Sequence, residues 1–200
     1  MTRPATAWVG VAVVLAAAAL LGWRLPPERL DWQPALALGQ PWRAWTAVGV
    51  HYSPAHLIGN LAGVALTGLC GWAVRVPARL AGAWLAAWPL TQFALLVRPD
   101  LLHYGGLSGV VHAGVAALVV WVLTTTARTR AQRWVGGALA FGLLVKLVSE
   151  SPWGPPLRHS EAWDIAVAPV AHATGVLAGV VCAVIALVLP RREPPATSHR

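Results

Sequence analysis

The sequence predicts an all-α integral membrane protein, a bundle of six transmembrane helices with its N- and C-termini in the cytosol. The 200-residue chain is 57% hydrophobic and only 11% charged, whereas a soluble domain carries about 25% charged residues. Six apolar runs approach the length of about 20 residues that crosses a bilayer. Most arginines lie in the segments between these runs. Together these features predict one helical membrane domain.

The apolar runs predict spans at about 8–24, 54–74, 79–97, 107–125, 134–149 and 165–189. A cleavable signal peptide is the alternative for the first run, which has a basic start and small residues. The helix count works better with that run retained. Residues 1–190 then form a single membrane domain, and residues 191–200 form a flexible cytosolic tail. The mixed segment 24–53 is long for a structureless connection, and such segments are usually functional or membrane-associated.

The arginine distribution predicts the orientation. With the N-terminus inside, the inner segments carry nine arginines against one glutamate, and the outer loops carry five arginines against three aspartates and three glutamates. Basic residues favour the cytosolic side. We therefore expect a multi-pass protein of a bacterial inner membrane, in contact with the lipid bilayer.

Other compositional features exclude some classes of protein. The net charge of +8 does not indicate nucleic-acid binding, because the arginines lie in short loops and act as topology signals. Cys70 and Cys182 lie inside apolar runs, so neither a disulfide framework nor a metal site is expected, and no cofactor is implied. Tryptophans near the ends of runs favour an interfacial belt: Trp8, Trp23, Trp72, Trp84, Trp134 and Trp163.

Three polar side chains are predicted to lie at one depth near the outer surface. Each is 19 or 20 residues from an arginine that is predicted to be cytosolic. Ser108 is paired in this way with Arg128, His172 with Arg191 and His56 with Arg75. At a rise of 1.5 Å per residue, each is roughly 28–30 Å from its arginine. Ionisable residues within spans are costly and tend to face a bundle interior or a cavity.

A serine and a histidine at matched depth supply the minimum for a nucleophile with its general base. Ser108 is predicted to begin its helix, where backbone N–H groups favour a developing negative charge. His56 and Asn60, one helical turn apart, could add donors for an oxyanion. Gly175 and Gly179 would let the sixth helix approach the fourth closely. Taken alone, the serine is also compatible with helix packing, and the histidine with a structural or proton-relay role.

These residues lie in motifs that resemble those of the rhomboid family of intramembrane serine proteases. Trp42-Arg43 resembles the family's motif in the first outer loop. His51, His56 and Asn60 match its His-x4-His-x3-Asn pattern, and Gly106-Leu107-Ser108-Gly109 matches its Gly-x-Ser-Gly motif. The sixth-helix motif is matched by Ala171, His172, Gly175 and Gly179. The matches extend over residues 42–179.

The resemblance implies a serine endopeptidase that cleaves membrane-anchored protein substrates without a metal or other cofactor. Ser108 would be the nucleophile and His172 the base, with no third acid. His56, Asn60 and the Ser108 backbone N–H would bind the oxyanion, and the remaining motif residues would support them.

Two features depart from many bacterial members. His112 stands four residues after the serine, where a tyrosine commonly stacks under the catalytic histidine, and it is either a support or a rival base. Lys146 is followed four residues later by Glu150. This pair is either a feature of a subgroup or simply a local ion pair on one helix face. These features and the compact length resemble the rhombosortase subgroup, whose members are thought to process Gly-Gly-type C-terminal anchors of exported proteins.

Two other functions fit parts of the pattern. A non-catalytic rhomboid-like protein would bind client transmembrane helices, but such proteins lack the serine or the histidine. A proton or metal pathway could use the outer histidines, yet no polar residues continue that path to the cytosolic side.

Overall fold

A computed structural model of the chain describes residues 5–126, 128–159 and 164–190. Within these ranges nearly all regular structure is helical, and extended backbone pairs only in two isolated bridges, Trp32 with Tyr104 and Arg158 with Val167. The predicted cytosolic tail 191–200, Arg191 and Trp163 lie outside the described residues.

The described residues form eight α-helices: α1 (Thr6–Gly22), α2 (Pro27–Leu30), α3 (Arg43–Thr46), α4 (Pro54–Ala73), α5 (Ala78–Phe93), α6 (Ser108–Thr124), α7 (Arg130–Glu150) and α8 (Pro169–Val188). Short 3-10 turns occur at Pro34–Leu36, Ala47–Gly49 and Ala94–Val97. By length and composition, α4, α5 with its extension to Val97, α7 and α8 can cross a membrane. Helices α1 and α6 are apolar but have 17 residues each. The chain is therefore a multi-pass helical membrane protein, and the count of six spans remains a prediction.

Local sequence signals explain where two helices begin. Helix α7 starts before the predicted residue 134 because Thr129 and Gln132 form a reciprocal capping box, in which each side chain accepts from the other's backbone N–H. Helix α8 starts after the predicted residue 165 because Val167 still pairs with Arg158, and Pro169 then occupies the first turn. Proline suits that position, since its missing N–H would have no helical partner there.

Helix α6 lies at the centre of the bundle and contacts α4, α5, α7 and α8. Its most extensive contact is with α8, where the backbones touch. A Cβ atom on Gly175 would overlap the carbonyl oxygen of Gly109, and one on Gly179 would overlap that of Ala113. Small residues let membrane helices approach in this way. The first turns of α6 and α8 are thereby held side by side.

Two tryptophans differ from the expected interfacial belt. Trp8 and Trp84 are fully buried, and their rings lie 4.5 Å apart between centroids. Trp8 donates its indole N–H to the carbonyl of Thr67 on α4, and Trp84 donates to that of Val110 on α6. Because a buried indole needs an acceptor, these bonds make a core position favourable. Trp72 and Trp134 are mostly exposed, as a belt would require.

The mixed segment between α1 and α4 is organised around Arg43. This buried side chain donates to the carboxylate of Asp31 at 2.9 Å, to the amide oxygen of Gln40 and to the Glu28 backbone carbonyl. Asp31 also binds His103 from the loop before α6. The segment is therefore a folded cap that holds the loop leading to Ser108.

Arg79 and Arg128 lie at the opposite end of the bundle from Ser108. Arg128, after α6, donates to the carbonyl of Val74, which follows α4. Arg79, at the start of α5, lies 3.4 Å from the carbonyl oxygens of Ala186 and Leu187 near the end of α8. Helices α4, α6 and α8 consequently all begin at one end of the bundle, and the polar residues of their first turns are brought together there.

Candidate active site

A glycine-rich loop delivers Ser108 to the end of the bundle. Gly106 adopts a φ of 136°, a conformation that side chains disfavour, and a Cβ there would lie 2.9 Å from the His56 ring. The Gly106 backbone N–H donates to the carbonyl of Ala47, while Trp32 and Tyr104 exchange two backbone hydrogen bonds. These bonds fix the loop, and α6 begins at Ser108.

Ser108 and His172 are in hydrogen-bond contact across α6 and α8. The Ser108 Oγ lies 3.0 Å from the His172 Nε2, and the histidine side chain is buried. This separation is within the reach of a nucleophile and its general base. Gly109 directly follows Ser108, and Gly175 lies one turn after His172, so the close packing of Gly175 on Gly109 brings the two side chains together.

His112 stacks on the ring of His172. The ring centroids are 4.2 Å apart and the planes are inclined by 15°. Its Nδ1 lies 2.7 Å from the backbone carbonyl oxygen of Ser108. Because a carbonyl only accepts, this nitrogen carries the proton. His112 is thus held against the Ser108 backbone and the His172 ring, whereas the Ser108 Oγ contacts the His172 Nε2, and this arrangement favours the supporting role for His112.

Glu150 contacts His172, a contact that the sequence did not predict. Its Oε2 lies 2.5 Å from the His172 Nδ1, and its Oε1 lies 2.5 Å from the Lys146 Nζ. The local ion pair read from the sequence exists, and the same carboxylate also reaches the histidine. A carboxylate has two acceptor oxygens. In Glu150 one oxygen binds Lys146 and the other binds His172, whereas the sequence indicated only the Lys146 partner.

His56 and Asn60 line the side of the site formed by α4. Ser53 caps this helix and accepts the backbone N–H of His56 at 3.1 Å. A Cβ on Gly106 would lie 3.8 Å from the Asn60 Nδ2. That nitrogen is buried and has no hydrogen-bond partner among the described residues. An unpaired buried donor is costly, and this one is available to an anion formed beside Gly106.

His51 lies just before α4 and packs against His56, with the ring centroids 4.8 Å apart. Its Nδ1 is 3.3 Å from the carbonyl oxygen of Gly49. Burial lowers the pKa of His51, and the hydrogen bond to Gly49 only partly opposes this effect. His51 is therefore neutral near pH 7 and adds no positive charge beside His56.

The site opens into a cavity of about 220 Å³ between α4, α6, α7 and the segment before α8. Its wall includes Ser108, His172, His56 and Asn60 on one side and Lys146 with Glu150 on another. A cavity with a few convergent polar groups is the usual form of a binding site. Ser108 is therefore exposed to a cavity that extends toward α7.

Some residues in this region have other roles or were not predicted. Arg43 is buried in the cap, away from Ser108, and Trp42 is half-exposed at the start of α3. Tyr104 was not foreseen: its phenol is buried beside the Ser108 side chain, and burial raises its pKa. His103 lines the cavity and binds Asp31; it was one of the outer histidines considered for a proton or metal pathway, but this contact was not foreseen. Neither residue occupies a motif position, so the sequence carried no signal for them.

A helical membrane bundle with a serine hydrogen-bonded to a buried histidine beside a cavity defines a class, the membrane-embedded hydrolases of serine type. The family model described as Rhomboid domain matches residues 38–189. The chain therefore belongs to the rhomboid family of intramembrane serine proteases, which act on membrane-embedded substrates within the bilayer. Among curated proteins, no sequence matches the chain.

Proposed function

We propose that this protein is an active intramembrane serine endopeptidase, with Ser108 as nucleophile and His172 as base, that cleaves membrane-anchored proteins near the outer face of the membrane. The observation that carries the proposal is the 3.0 Å contact between the Ser108 Oγ and the His172 Nε2 at the wall of a cavity. A non-catalytic relative would have no need of this contact.

The proposed reaction has two stages. The Ser108 Oγ attacks the substrate carbonyl carbon while its proton passes to the His172 Nε2. The tetrahedral intermediate then breaks its C–N bond, His172 gives its proton to the departing amine, and an ester to Ser108 remains. Water next attacks the ester, His172 takes the water's proton and returns one to the Ser108 oxygen. The carboxylic acid product leaves the regenerated enzyme.

The negative oxygen of the intermediate is proposed to bind beside Gly106. The Ser108 backbone N–H belongs to the first turn of α6, where N–H groups have no helical acceptor. Asn60 contributes a side-chain donor from α4, and His56 lies next to it on the same helix face. Donors fixed before the reaction stabilise the charge without reorganisation.

Asn60→Ala is expected to lower kcat by roughly 10²- to 10³-fold, the usual cost of one oxyanion donor. KM should change little, because the donor acts on a charge that is absent in the bound substrate. Steady-state cleavage of a membrane-anchored substrate, with thermal unfolding as a folding check, measures both effects. An unchanged kcat in a folded variant would remove Asn60 from the proposed oxyanion site.

The proposed topology has six spans, cytosolic termini and a bacterial inner membrane as its location. Six apolar helices and the excess of arginine in the proposed inner segments support it. The site would then lie on the outer side, where water for the second stage is available.

We further propose a rhombosortase-like specificity for Gly-Gly-type anchors. The support is His112 in the stacking position and the Lys146–Glu150 pair. A substrate with Gly-Gly before its membrane anchor should be cleaved faster than a matched one with Val-Val. Equal cleavage rates for the two substrates would contradict the Gly-Gly specificity and leave the proposal of a general rhomboid protease.

A fluorophosphonate probe tests the proposed function directly. Wild-type protein in membranes should be labelled covalently at Ser108, as peptide mass spectrometry would locate, because the probe reacts with activated serines. Ser108→Ala should remain unlabelled, and Ser149→Ala, which alters an exposed serine near the end of α7, should still be labelled at Ser108. A wild-type protein that neither reacts nor cleaves would be a binding protein.

A further inference from the structure

Glu150 ends α7 with its carboxylate turned toward the reacting pair. One oxygen lies 2.5 Å from the His172 Nδ1, while the other side of that ring contacts the Ser108 Oγ at 3.0 Å. The three side chains come from α7, α8 and α6 and are far apart in sequence. They form one continuous hydrogen-bonded chain from carboxylate to hydroxyl.

We propose that Glu150 is a positioning residue for the base and converts the Ser–His pair into a Ser–His–Glu chain. This inference rests on the proposed function. An ionised carboxylate only accepts hydrogen bonds, so the His172 Nδ1 must carry the proton. The Nε2 then presents its lone pair to the Ser108 hydroxyl, as general-base attack requires. When Ser108 gives its proton to Nε2, the imidazolium that forms stands against a negative charge.

The fold holds the Glu150 backbone firmly. Glu150 is the last residue of α7, and the capping residue Ser151, with a φ of 50°, stops the helix there. Arg158 donates to the Glu150 carbonyl at 2.7 Å and is itself paired through its backbone with Val167, just before α8. Arg98 donates to the carbonyl of Gly154 in the same loop. The end of α7 is thus tied to the segment that leads to His172.

The Lys146 ammonium does not compete with this role. It binds the second carboxylate oxygen at 2.5 Å, on the same helix, and leaves the first for His172. The pair keeps Glu150 ionised, since an adjacent cation favours the charged carboxylate. Among the described residues, His112 stacks on the His172 ring from α6 and donates to the Ser108 carbonyl, and His56 lines the same cavity from α4. Glu150 is the carboxylate that contacts His172.

The test compares Glu150→Gln with Glu28→Gln, the same chemical change at an exposed position of α2. The amide that Glu150→Gln introduces can donate a hydrogen bond to the His172 Nδ1. This bond favours the tautomer in which Nε2 carries the proton, and a protonated Nε2 cannot accept the Ser108 proton. We expect kcat and the rate of fluorophosphonate labelling to fall on the order of 10³- to 10⁴-fold, as when a triad aspartate becomes an amide. KM and the unfolding midpoint should stay near the wild-type values, and Glu28→Gln should match the wild type.

A measurement on the unaltered protein covers the case in which Glu150→Gln does not fold. In ¹⁵N-histidine NMR of the wild type at neutral pH, the His172 Nδ1 should carry the proton and Nε2 should not, with the resonances assigned by their loss in His172→Ala. A protonated Nε2 would overturn the inference, and so would a folded Glu150→Gln with kcat within about threefold of the wild type. If the wild type neither cleaves nor labels at Ser108, the proposed function fails instead.

Discussion

His172→Ala is expected to lower kcat for substrate cleavage by on the order of 10⁶-fold, as removal of a triad histidine does in a soluble serine protease. The Ser108 Oγ has no other basic nitrogen within hydrogen-bond reach among the described residues, since the nitrogen it contacts is the His172 Nε2 at 3.0 Å. Without that partner the hydroxyl keeps its proton and is a weak nucleophile. Rates of cleavage and of fluorophosphonate labelling both measure the loss.

Two other histidines make the experiment specific. His159→Ala alters an exposed histidine of the loop after α7 and should leave cleavage unchanged. His112→Phe keeps an aromatic ring against His172 but removes both ring nitrogens, so it should retain most of the activity. If His112 were the base, the order would reverse, with His112→Phe inactive and His172→Ala active.

Gly175→Val is expected to destabilise the bundle and abolish labelling of Ser108. A Cβ at this position would overlap the Gly109 carbonyl oxygen, so α8 must move away from α6. Overpacking a core costs about 1–3 kcal/mol even where side chains can adjust, and here the obstacle is backbone. His172 lies one turn before Gly175, and the displacement carries its Nε2 beyond reach of Ser108. Thermal unfolding and probe labelling, measured together, test this result.

Gly142→Val is the matched control, because a Cβ on Gly142 of α7 meets no atom within 4 Å. It should unfold at the wild-type temperature and label normally. If Gly175→Val also behaved as the wild type, the close contact of α6 and α8 would not be what holds the nucleophile and base together.

The helical arrangement was predictable because apolar runs and arginines report on the membrane directly. The equal depth of Ser108 and His172 in the membrane was also predictable, because each lies 19 or 20 residues from an arginine. The spacing of residues along a helix gives the depth of a side chain in the membrane but not the direction in which it points from the helix axis. The structure adds the direction, with α8 turned so that His172 meets α6.

The contact between Glu150 and His172 could not be read from spacing in the same way. The four-residue step from Lys146 to Glu150 indicates an ion pair on one helix face, and this pair exists. Nothing in the sequence reveals that the carboxylate oxygen not bound by Lys146 faces His172 on α8. That depends on the rotation of α7 about its axis, which tertiary contacts fix. A polar residue at the outer end of a span was the available signal.

Trp8 and Trp84 were predicted to lie at the membrane interface, but they are buried in the core. A tryptophan near the end of an apolar run is typical of the interface, but Trp8 and Trp84 face glycines that leave room for their rings: Gly71 opposite Trp8 and Gly114 opposite Trp84. The glycines lie on other helices, so the match between ring and gap appears only after the helices are paired.

The contact between Trp8 and Trp84 also bears on how the chain is assembled during synthesis. Trp8 on α1 donates to α4, Trp84 on α5 donates to α6, and the rings touch, so one pair of side chains joins four helices. The acceptor for Trp84 belongs to Val110, two residues after Ser108. A nascent chain that ends before α6 therefore has an indole N–H without its native partner. This hydrogen bond of the core forms only when the helix that begins with Ser108 has joined the bundle, so burial of the Trp84 indole and placement of Ser108 belong to the same late step of assembly.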